Sequence, residues 1–296
     1  QRPDGVWDVV DGLQRLATLL EFVGELRDED GNLRPGLVLK ETRHLPALEG
    51  VTWDGDEGRT CLTAAQQMKF KRAKLQVNII LEHSDPDTKY DLFERLNTGG
   101  AFLSEQGVRN CQLLMVDRRF YHLLRSVAES GAFRQCVPLS ERQIEEQYDL
   151  ELVLRFIVLR RAEPDGLRGV DIAELLTKRM IALASDKGFD YDAERAVCAC
   201  VFETLADAAG EDCFRRWDAS RGRAVGAFSV SAYELVSVGL AAQCAAGAYH
   251  GDLDALRERI RSIWSNNEFR SNSGMGVRAS TRLPVVVSLG RELFGG

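Results

Sequence analysis

The first group of residues that could carry chemistry lies near the start of the chain, where Asp11, Gly12, Gln14 and Arg15 fall within the segment 9–16. A strand that turns through a glycine into a helix exposes unpaired backbone N–H groups at the helix start, where the macrodipole favours anions. Gly12 lets the backbone approach a ligand, and the guanidinium of Arg15 offers a fork of donors suited to phosphate. Asp11 could hold Mg²⁺ or orient water, while Gln14 could donate to a phosphate oxygen or position that water. An ordinary strand–turn–helix whose polar residues cap the helix accounts for the same pattern.

A second group of polar residues and glycines follows near residue 95. Arg95, Asn97 and Gly100 lie in the segment Phe93–Gly100, which runs into a second polar helix start over Leu103–Asn110. This arrangement repeats the anion-binding chemistry of a helix N-terminus. A helix C-cap followed directly by an N-cap, the commonest join between two helices, also explains these residues.

The elements that would position the two groups mix strands and helices. Hydrophobic periodicity and turn residues predict strands over 6–10 and 76–81, a helix over 13–26, and a helix from the Thr63–Gln66 capping box to about Leu75. A further helix is predicted to begin at Asp87 or Thr88 and to end in the glycine pair at 99–100. Residues 28–60 are rich in glycine and are predicted to form loops.

The remainder of the chain is predicted to be helical, with no strand after residue 110. Helices are expected over 104–128, 140–161, 192–209, 231–248 and 252–266, with another that begins at Asp171, and an apolar segment over 283–294 follows them. The predicted fold class is therefore α+β, with a mixed α/β domain over 1–110 and an all-α helical domain over 111–296. Glu151 and Arg155 are expected to form an i,i+4 ion pair at the domain interface. The aromatic residues Trp217, Trp264 and Phe269 are interpreted as core.

Composition and charge argue against several classes of protein. No apolar run is long enough to span a bilayer, and 45% hydrophobic and 28% charged residues are ordinary for a globular chain. The seven cysteines include no CxxC pair, which favours reduced thiols and a cytoplasmic location. A net charge of −7 gives no general polyanion-binding surface, and the basic run at 69–74 is more typical of a solvated helix face than of a DNA contact. Four scattered histidines cannot form the HNH arrangement of a nuclease.

Taken together, the two groups carry a family resemblance. The sequence D-G-L-Q-R-L-A-T-L, followed by F-E-R-L-N-T-G-G-x-x-L-S-x-Q-x-x-R-N, resembles the N-terminal domain family of the GmrSD restriction endonucleases. The resemblance is close over residues 5–115 in order, spacing and residue identity. The positions that match the two family motifs are Asp11, Gly12, Gln14 and Arg15 in the first and Arg95, Asn97 and Gly100 in the second.

The resemblance implies a ParB/sulfiredoxin-like α/β fold that binds or hydrolyses nucleoside triphosphates without a P-loop, and no Walker-type sequence occurs in the chain. Members act in bacterial defence against modified foreign DNA, and those with full restriction activity pair this domain with an HNH-type nuclease. For this chain the expected ligands are GTP, ATP or CTP with Mg²⁺. The expected partners are modified DNA and a separate nuclease or effector protein. The resemblance also implies that the family's opening segment, ahead of Asp11, is missing or truncated.

Two functions stay open at this point. As a slow Mg²⁺-dependent triphosphatase, the domain would use Asp11, Gln14, Arg15 and Asn97 in catalysis, with Mg²⁺ held by Asp11 and Asn97. The nucleotide contacts would be Gly12, Arg15, Arg95, Asn97 and Gly100. As a non-hydrolytic nucleotide- or DNA-binding switch, it would instead regulate a partner nuclease. Leu13 favours the switch because the family usually has glutamine there, so one candidate water-positioning group is absent.

Overall fold

The computed structural model describes residues 9, 13–28, 31–42, 45–55, 60–77, 104–245, 248–274 and 276–295. The chain forms two compact units, Gln1–Phe102 and Leu103–Gly296. Its described residues are mostly helical with one small antiparallel two-stranded sheet, which is an α+β composition. The domain boundary predicted at residue 110 falls inside the helix Glu105–Val116, which belongs entirely to the second unit. Among these described residues, none of the helices is long and apolar enough to cross a membrane.

In the first unit, a small aromatic cluster joins helix α1 (Leu13–Phe22) to helix α2 (Ala64–Lys71). The rings of Phe22, Trp53 and Phe70 meet edge to face with centroids 5.5 to 5.7 Å apart, and Phe22 and Trp53 are buried. Aromatic pairs in this geometry add stability beyond the area that they bury. The cluster therefore fixes α1, which carries the described part of the first motif.

The capping box predicted at the start of α2 is confirmed. The Thr63 hydroxyl accepts from the backbone N–H of Gln66 at 3.3 Å, and the Gln66 side chain accepts from the N–H of Thr63 at 2.8 Å. The helix ends at Lys71, short of the predicted Leu75, whose side chain is 61% exposed. Because the following residues bury no apolar face, packing does not extend this short helix.

The strands predicted for the first unit fall mostly outside the described residues. Of the strand predicted over 6–10, only Val9 is described. Of the strand predicted over 76–81, only Gln76 and Val77 are described. These three residues have no regular secondary structure. The helix predicted from Asp87 or Thr88 lies wholly outside them. In the described segments of this unit the backbone forms isolated bridges instead, Arg27 with Leu33, Thr42 with Leu45 and Thr52 with Cys61.

The second unit is a helical bundle that carries the sheet. Its helices are α3 (Glu105–Val116), α4 (Arg118–Ala128), α5 (Gly131–Cys136), α6 (Glu141–Glu145), α7 (Tyr148–Leu159), α8 (Ile172–Ser185), α9 (Tyr191–Ala209), α10 (Val230–Leu240), α11 (Leu253–Ser262), α12 (Asn267–Asn272) and α13 (Ala279–Phe294). Strands β1 (Arg215–Asp218) and β2 (Arg223–Phe228) form a hairpin between α9 and α10. Helices α7 and α10 are buried along nearly their whole length and lie at the centre of the core.

The hairpin corrects the prediction of an all-α second domain with no strand after residue 110. Strands β1 and β2 pair antiparallel, with Trp217 opposite Ala224. Both strands are short and contain arginine or glycine, so they lack the apolar alternation that identifies a strand in a sequence. Tertiary packing holds them instead, because the Phe228 ring lies 5.8 Å from the rings of both Phe214 and Tyr233.

Two predicted helices are interrupted in the structure. The helix expected over 104–128 divides at Asp117, whose extended backbone ends α3 and whose carboxylate accepts from the N–H of Arg119 at 2.7 Å to begin α4. The helix expected over 140–161 divides at Gln147, which adopts a left-handed conformation with φ 59°. That conformation costs a residue other than glycine about 1–2 kcal/mol. A hydrogen bond from the Asn110 side chain to the side-chain oxygen of Gln147 helps to hold it.

Helices α10 and α13 approach each other through a pair of glycines. A Cβ atom added to Gly239 would lie 2.2 Å from the carbonyl oxygen of Gly290, and one added to Gly290 would lie 2.3 Å from that of Leu235. Only a residue without a side chain allows two backbones to come this close. The C-terminal helix is therefore packed directly against the buried centre of the bundle.

Candidate functional site

The first predicted motif is described from Leu13 onward. Helix α1 begins at Leu13, directly after Asp11 and Gly12 in the sequence, and Gln14 and Arg15 occupy its first turn with exposed side chains. The first N–H groups of a helix have no partner within it, so backbone donors and the positive end of the dipole lie beside these two side chains. This first turn therefore suits phosphate. Asp11 and Gly12 themselves lie outside the described residues.

The second predicted motif lies only partly within the described residues. The candidate nucleotide contacts Arg95, Asn97 and Gly100 fall outside them, and the described part of the motif begins at Ser104. The predicted approach of these three residues to the first motif accordingly stays a prediction.

Polar side chains at the start of α3 join it to the α6–α7 junction. The Ser104 hydroxyl accepts from the N–H of Gly107 at 3.0 Å, which caps α3, and donates to the carbonyl of Glu146 at 2.5 Å. Asn110, one turn and a half further along, donates to the side chain of Gln147. The motif residues Ser104 and Asn110 therefore have a structural role in the second unit.

Arg109 is the centre of a buried polar network that includes the rest of this motif. It is only 2% exposed, and its guanidinium donates to Gln106 at 3.0 Å, to Thr177 at 3.2 Å and to the carboxylates of Glu105 and Glu151, both at 3.1 Å. All four bonds are charge-assisted because the guanidinium is ionised, and the two to Glu105 and Glu151 are also ion pairs. Arg109 thus bonds helices α3, α7 and α8 to one another.

The network continues as a chain of alternating charges through the bundle. The predicted pair of Glu151 and Arg155 is formed at 2.9 Å, inside the second unit. Arg155 also contacts Glu234 at 2.6 Å, and Glu234 contacts Arg282 at 2.9 Å. Burial alone would lower the pKa of Arg155, but the carboxylates of Glu234 and Glu151 outweigh it and hold that pKa above its ordinary value. These charges are mutually compensated, so they bind helices together and do not form a ligand site.

A second buried carboxylate lies between two arginines. Glu194 of α9 is 1% exposed and forms ion pairs with Arg160 and Arg161, including a bond of 2.9 Å from the Nε of Arg160. Burial raises the pKa of Glu194, and the hydrogen bonds from Arg160 and Arg161 more than reverse this, so its pKa lies below the ordinary value. The guanidinium of Arg161 also lies 5.3 Å from the ring centre of Phe189. Both guanidinium groups thus donate to one carboxylate within the second unit.

A cleft of about 350 Å³ lies between the C-terminal end of α9, strand β1 and helix α11. Its polar lining consists of Gln135, Asp207, Asp212, Arg215, Arg257 and Arg261, with the indoles of Trp217 and Trp264. Its three arginines already have partners: Asp212 for Arg215 at 3.1 Å, the Ala208 carbonyl for Arg257 at 2.5 Å and Glu258 for Arg261 at 2.5 Å. Of the aromatic residues interpreted as core, Phe269 is fully buried, whereas the two tryptophans are half-buried in the cleft wall.

Sequence-based prediction missed a basic segment at the hairpin. The best basic run in the sequence, at 69–74, is exposed, and its Lys71 lies 5.6 Å from the Trp53 ring. Residues 215–223, by contrast, contain four arginines and one aspartate, which leaves a net charge of +3 in a chain of net charge −7. This excess could have been read from the sequence. The two strands that carry these arginines could not be predicted, because their sequence pattern does not indicate a sheet.

The described residues hold no cluster of three or more His, Cys, Asp or Glu side chains suited to a metal ion. The predicted Mg²⁺ ligands Asp11 and Asn97 lie outside those residues, so the prediction of a magnesium site rests on the sequence. All seven cysteines are free thiols. Cys136 and Cys213 are buried with their sulfur atoms 3.9 Å apart, and the hydrogen bond between them, together with burial, raises the pKa of Cys213. A thiol with a raised pKa is a poor nucleophile.

Comparison with protein-family models, curated proteins and solved structures finds no match to this chain. The family resemblance therefore depends on the residues quoted for the two motifs. The features that bear on function are those residues, the described first turn of α1 and the charged surface of the second unit.

Proposed function

We propose that this chain is a nucleoside-triphosphate-binding module, and a slow Mg²⁺-dependent triphosphatase, of a bacterial system that restricts modified foreign DNA. The observation that supports it most directly is the position of α1. This helix begins at Leu13, directly after the Asp11–Gly12 sequence, and it carries Gln14 and Arg15 on an exposed first turn. A helix start of this kind binds anions through its N–H groups and dipole. We further propose the ParB/sulfiredoxin-like fold for the first unit, Gln1–Phe102.

Each residue of the first motif has a distinct proposed role. Arg15 and the N–H groups of the first turn of α1 bind phosphate oxygens, and Gly12 allows the chain to approach them. Gln14 donates to a phosphate oxygen or orients the attacking water. Asp11 holds Mg²⁺, which when bound would neutralise charge on the phosphates.

The residues of the second motif would complete the site. Asn97 would hold Mg²⁺ together with Asp11, while Arg95 and Gly100 would contact the nucleotide. Arg95 adds a second guanidinium to the phosphates, where the negative charge of a triphosphate is concentrated. Preorganised donors of this kind stabilise charge that develops on the transferred phosphoryl group.

The test compares wild type with Arg15→Ala in two assays, calorimetric binding of GTP, ATP and CTP with Mg²⁺ and release of inorganic phosphate. Loss of hydrogen bonds to a charged ligand should weaken triphosphate binding by about tenfold to a hundredfold. Arg34→Ala removes another exposed arginine of the first unit and should change neither binding nor turnover. Equal binding and equal turnover in wild type and Arg15→Ala would overturn the assignment.

A second candidate function is a non-hydrolytic switch that binds nucleotide or DNA and regulates a partner nuclease. The observation in its favour is Leu13, which stands where the family usually has glutamine. Calorimetric binding without phosphate release would select this function. Leu13→Gln should then restore turnover if the absent glutamine is the cause. In either case, we propose that DNA cleavage belongs to a separate nuclease or effector protein.

A further inference from the structure

The β1–β2 hairpin concentrates positive charge on a protein that is acidic as a whole. Its two strands and the turn between them supply Arg215, Arg216, Arg221 and Arg223 against a single carboxylate, Asp218, within nine residues. The chain as a whole carries a net charge of −7. Such a local reversal of charge attracts polyanions, even though the whole molecule repels them.

Strand register divides the hairpin side chains between two faces. Trp217 pairs with Ala224, and this inward face lies against α11, where the Arg261 guanidinium is 4.1 Å from the Trp217 ring centre. Successive residues of a strand point to opposite faces. Arg216 and the cross-strand pair of Asp218 with Arg223 therefore share the outward face.

Ion pairing distinguishes two of the four arginines. Arg215 contacts Asp212 at 3.1 Å, and Arg221 contacts Asp218 at 3.5 Å. Arg216 and Arg223 are exposed, and neither forms an ion pair with a carboxylate of the described part of the chain. Their charge is therefore available to a partner.

The hairpin is held in a defined shape. One carboxylate oxygen of Asp218 accepts from the N–H of Ser220 at 3.0 Å, from its hydroxyl at 2.6 Å and from the N–H of Arg221 at 3.3 Å. Gly222 completes the turn with φ +62°, a conformation suited to glycine. At the other end, Phe228 packs on Tyr233 of the buried helix α10. A surface ordered in advance loses little entropy when it binds.

We propose that the outward face of this hairpin binds duplex DNA, with Arg216 and Arg223 on phosphate groups and Arg221 at the tip. Duplex DNA carries one negative charge per about 1.7 Å of its axis, and its major groove, about 12 Å wide, admits a two-stranded ribbon. An acidic protein is the less favoured partner. Protein interfaces centre on buried apolar and aromatic side chains, and the aromatic Trp217 lies on the other face.

This inference deepens the proposed function, since it assigns the DNA contact that a restriction system requires, and it rests on that function only for its biological setting. The surface lies in the second unit, whereas the proposed triphosphate contacts lie in the first. DNA binding is therefore measured with no nucleotide present. If wild type fails to bind the duplex, the proposal of triphosphate binding is unaffected. If wild type fails to bind triphosphate, the proposal of DNA binding by the hairpin is unaffected.

The experiment measures fluorescence anisotropy of a labelled duplex of about 20 base pairs, which offers many more phosphates than the two arginines can contact, over a series of salt concentrations. Wild type is compared with Arg216→Gln/Arg223→Gln. Each lost phosphate contact should lower the affinity by about tenfold near 0.1 M salt and reduce the slope of log K against log salt by about one. The double variant should therefore bind about a hundredfold more weakly, with a slope smaller by about two.

The matched control is Lys178→Gln/Arg179→Gln, which removes two exposed positive charges from α8 and changes the net charge equally. It should leave both affinity and slope close to wild type. An equal loss in both double variants would overturn the proposal, since the effect would then be one of net charge. Absence of duplex binding by wild type would overturn it as well.

Two further measurements test whether the double variant is folded and whether the partner is DNA or an acidic protein. If the double variant has a lowered unfolding temperature, the single variant Arg223→Gln replaces it and should show about half the change in slope. Arg216→Lys/Arg223→Lys keeps the charge and should keep most of the affinity. A labelled polyglutamate peptide tests the acidic protein. If the double variant loses the peptide but keeps the duplex, the hairpin is a protein contact and the DNA proposal is wrong.

Discussion

Glu194 illustrates how a single buried carboxylate can tie a helix to the rest of the bundle. It is almost fully buried and stays ionised because Arg160 and Arg161 donate to it, which lowers its pKa. Removal of one partner from such a cluster leaves uncompensated charge in the protein interior. The two arginines are partly exposed, so water screens some of that charge.

We predict that Glu194→Gln destabilises the protein by about 2–3 kcal/mol at neutral pH. Because the folded-state pKa of Glu194 is depressed, its contribution is present above the ordinary value of about 4.5 and is lost as the pH falls through the lower folded-state pKa. The gap between wild type and Glu194→Gln should therefore be constant down to about pH 5 and close at lower pH. Urea unfolding at a series of pH values measures it.

The control for this prediction is Glu163→Gln, since Glu163 is 87% exposed and lies 3.8 Å from Arg291. An exposed pair of this kind contributes about 0–1 kcal/mol, so the variant should unfold almost as wild type does. A gap for Glu194→Gln that persists unchanged at acid pH would show that its effect is steric and not electrostatic.

At the same scale, Arg109 and Asn110 show that polar motif residues can have a structural role. Arg109 is buried and bonded to Glu105, Gln106, Glu151 and Thr177. These bonds hold α3, α7 and α8 together, which accounts for the presence of polar residues in this part of the second motif. The residues that stay candidates for ligand contact are those of the first motif and residues 95–100.

At the scale of elements, the contact between α10 and α13 depends on two glycines. The structure leaves no room for a side chain at Gly290, where a Cβ atom would lie 2.3 Å from the carbonyl oxygen of Leu235. Backbone atoms cannot move aside as a flexible side chain can. The two helices would have to separate, and the buried apolar contacts between them would be lost.

We predict that Gly290→Ala lowers the free energy of unfolding by about 1–3 kcal/mol, the usual cost of overpacking a core. Denaturant unfolding followed by circular dichroism measures the loss. The matched control is Gly131→Ala in the first turn of α5, where an added Cβ meets nothing within 4 Å. This control should be neutral or stabilising by up to about 1 kcal/mol, because alanine favours a helix. Similar losses in both variants would contradict the close-contact explanation.

At the scale of the whole molecule, the second unit has a core of its own. A single cluster of buried side chains runs from Leu113 to Phe294, and every one of its members belongs to the unit Leu103–Gly296. In the described part of the first unit, the buried apolar side chains are Phe22, Val51 and Trp53, and Phe70 packs on two of them, Phe22 and Trp53. The area of apolar surface buried on folding is the dominant favourable contribution to stability, so the cluster from Leu113 to Phe294 can stabilise the second unit by itself.

We predict that a fragment comprising residues 103–296 folds alone and unfolds in one cooperative transition. It retains Ser104, which caps α3, and the whole buried charge network from Arg109 to Arg282. Thermal unfolding followed by near- and far-ultraviolet circular dichroism should give coincident curves. The fragment with Phe156→Asp, which places a charge in the core, should fail to show this transition. Separate curves for the two probes in the unaltered fragment would contradict the prediction.

Features that depend only on neighbouring residues could be predicted from the sequence. The helix starts at Thr63, Ser104, Ser140 and Asp171 were all predicted, and each side chain accepts from an N–H three residues ahead. A capping bond closes within a few residues, so its partners are visible in any short segment. The start of α1 at Leu13, after a glycine and with Arg15 in the first turn, could be read in the same way.

Features whose partners lie far apart in the chain could not be predicted in this way. The division at Gln147 involves Asn110, and the hairpin depends on Phe228 packing against Phe214 and Tyr233. The pairing of Glu151 with Arg155 was predicted from helical spacing, but its extension to Glu234 was not. Local rules describe bonds between near neighbours, whereas these contacts arise only when the folded backbone brings distant segments together and buries their side chains.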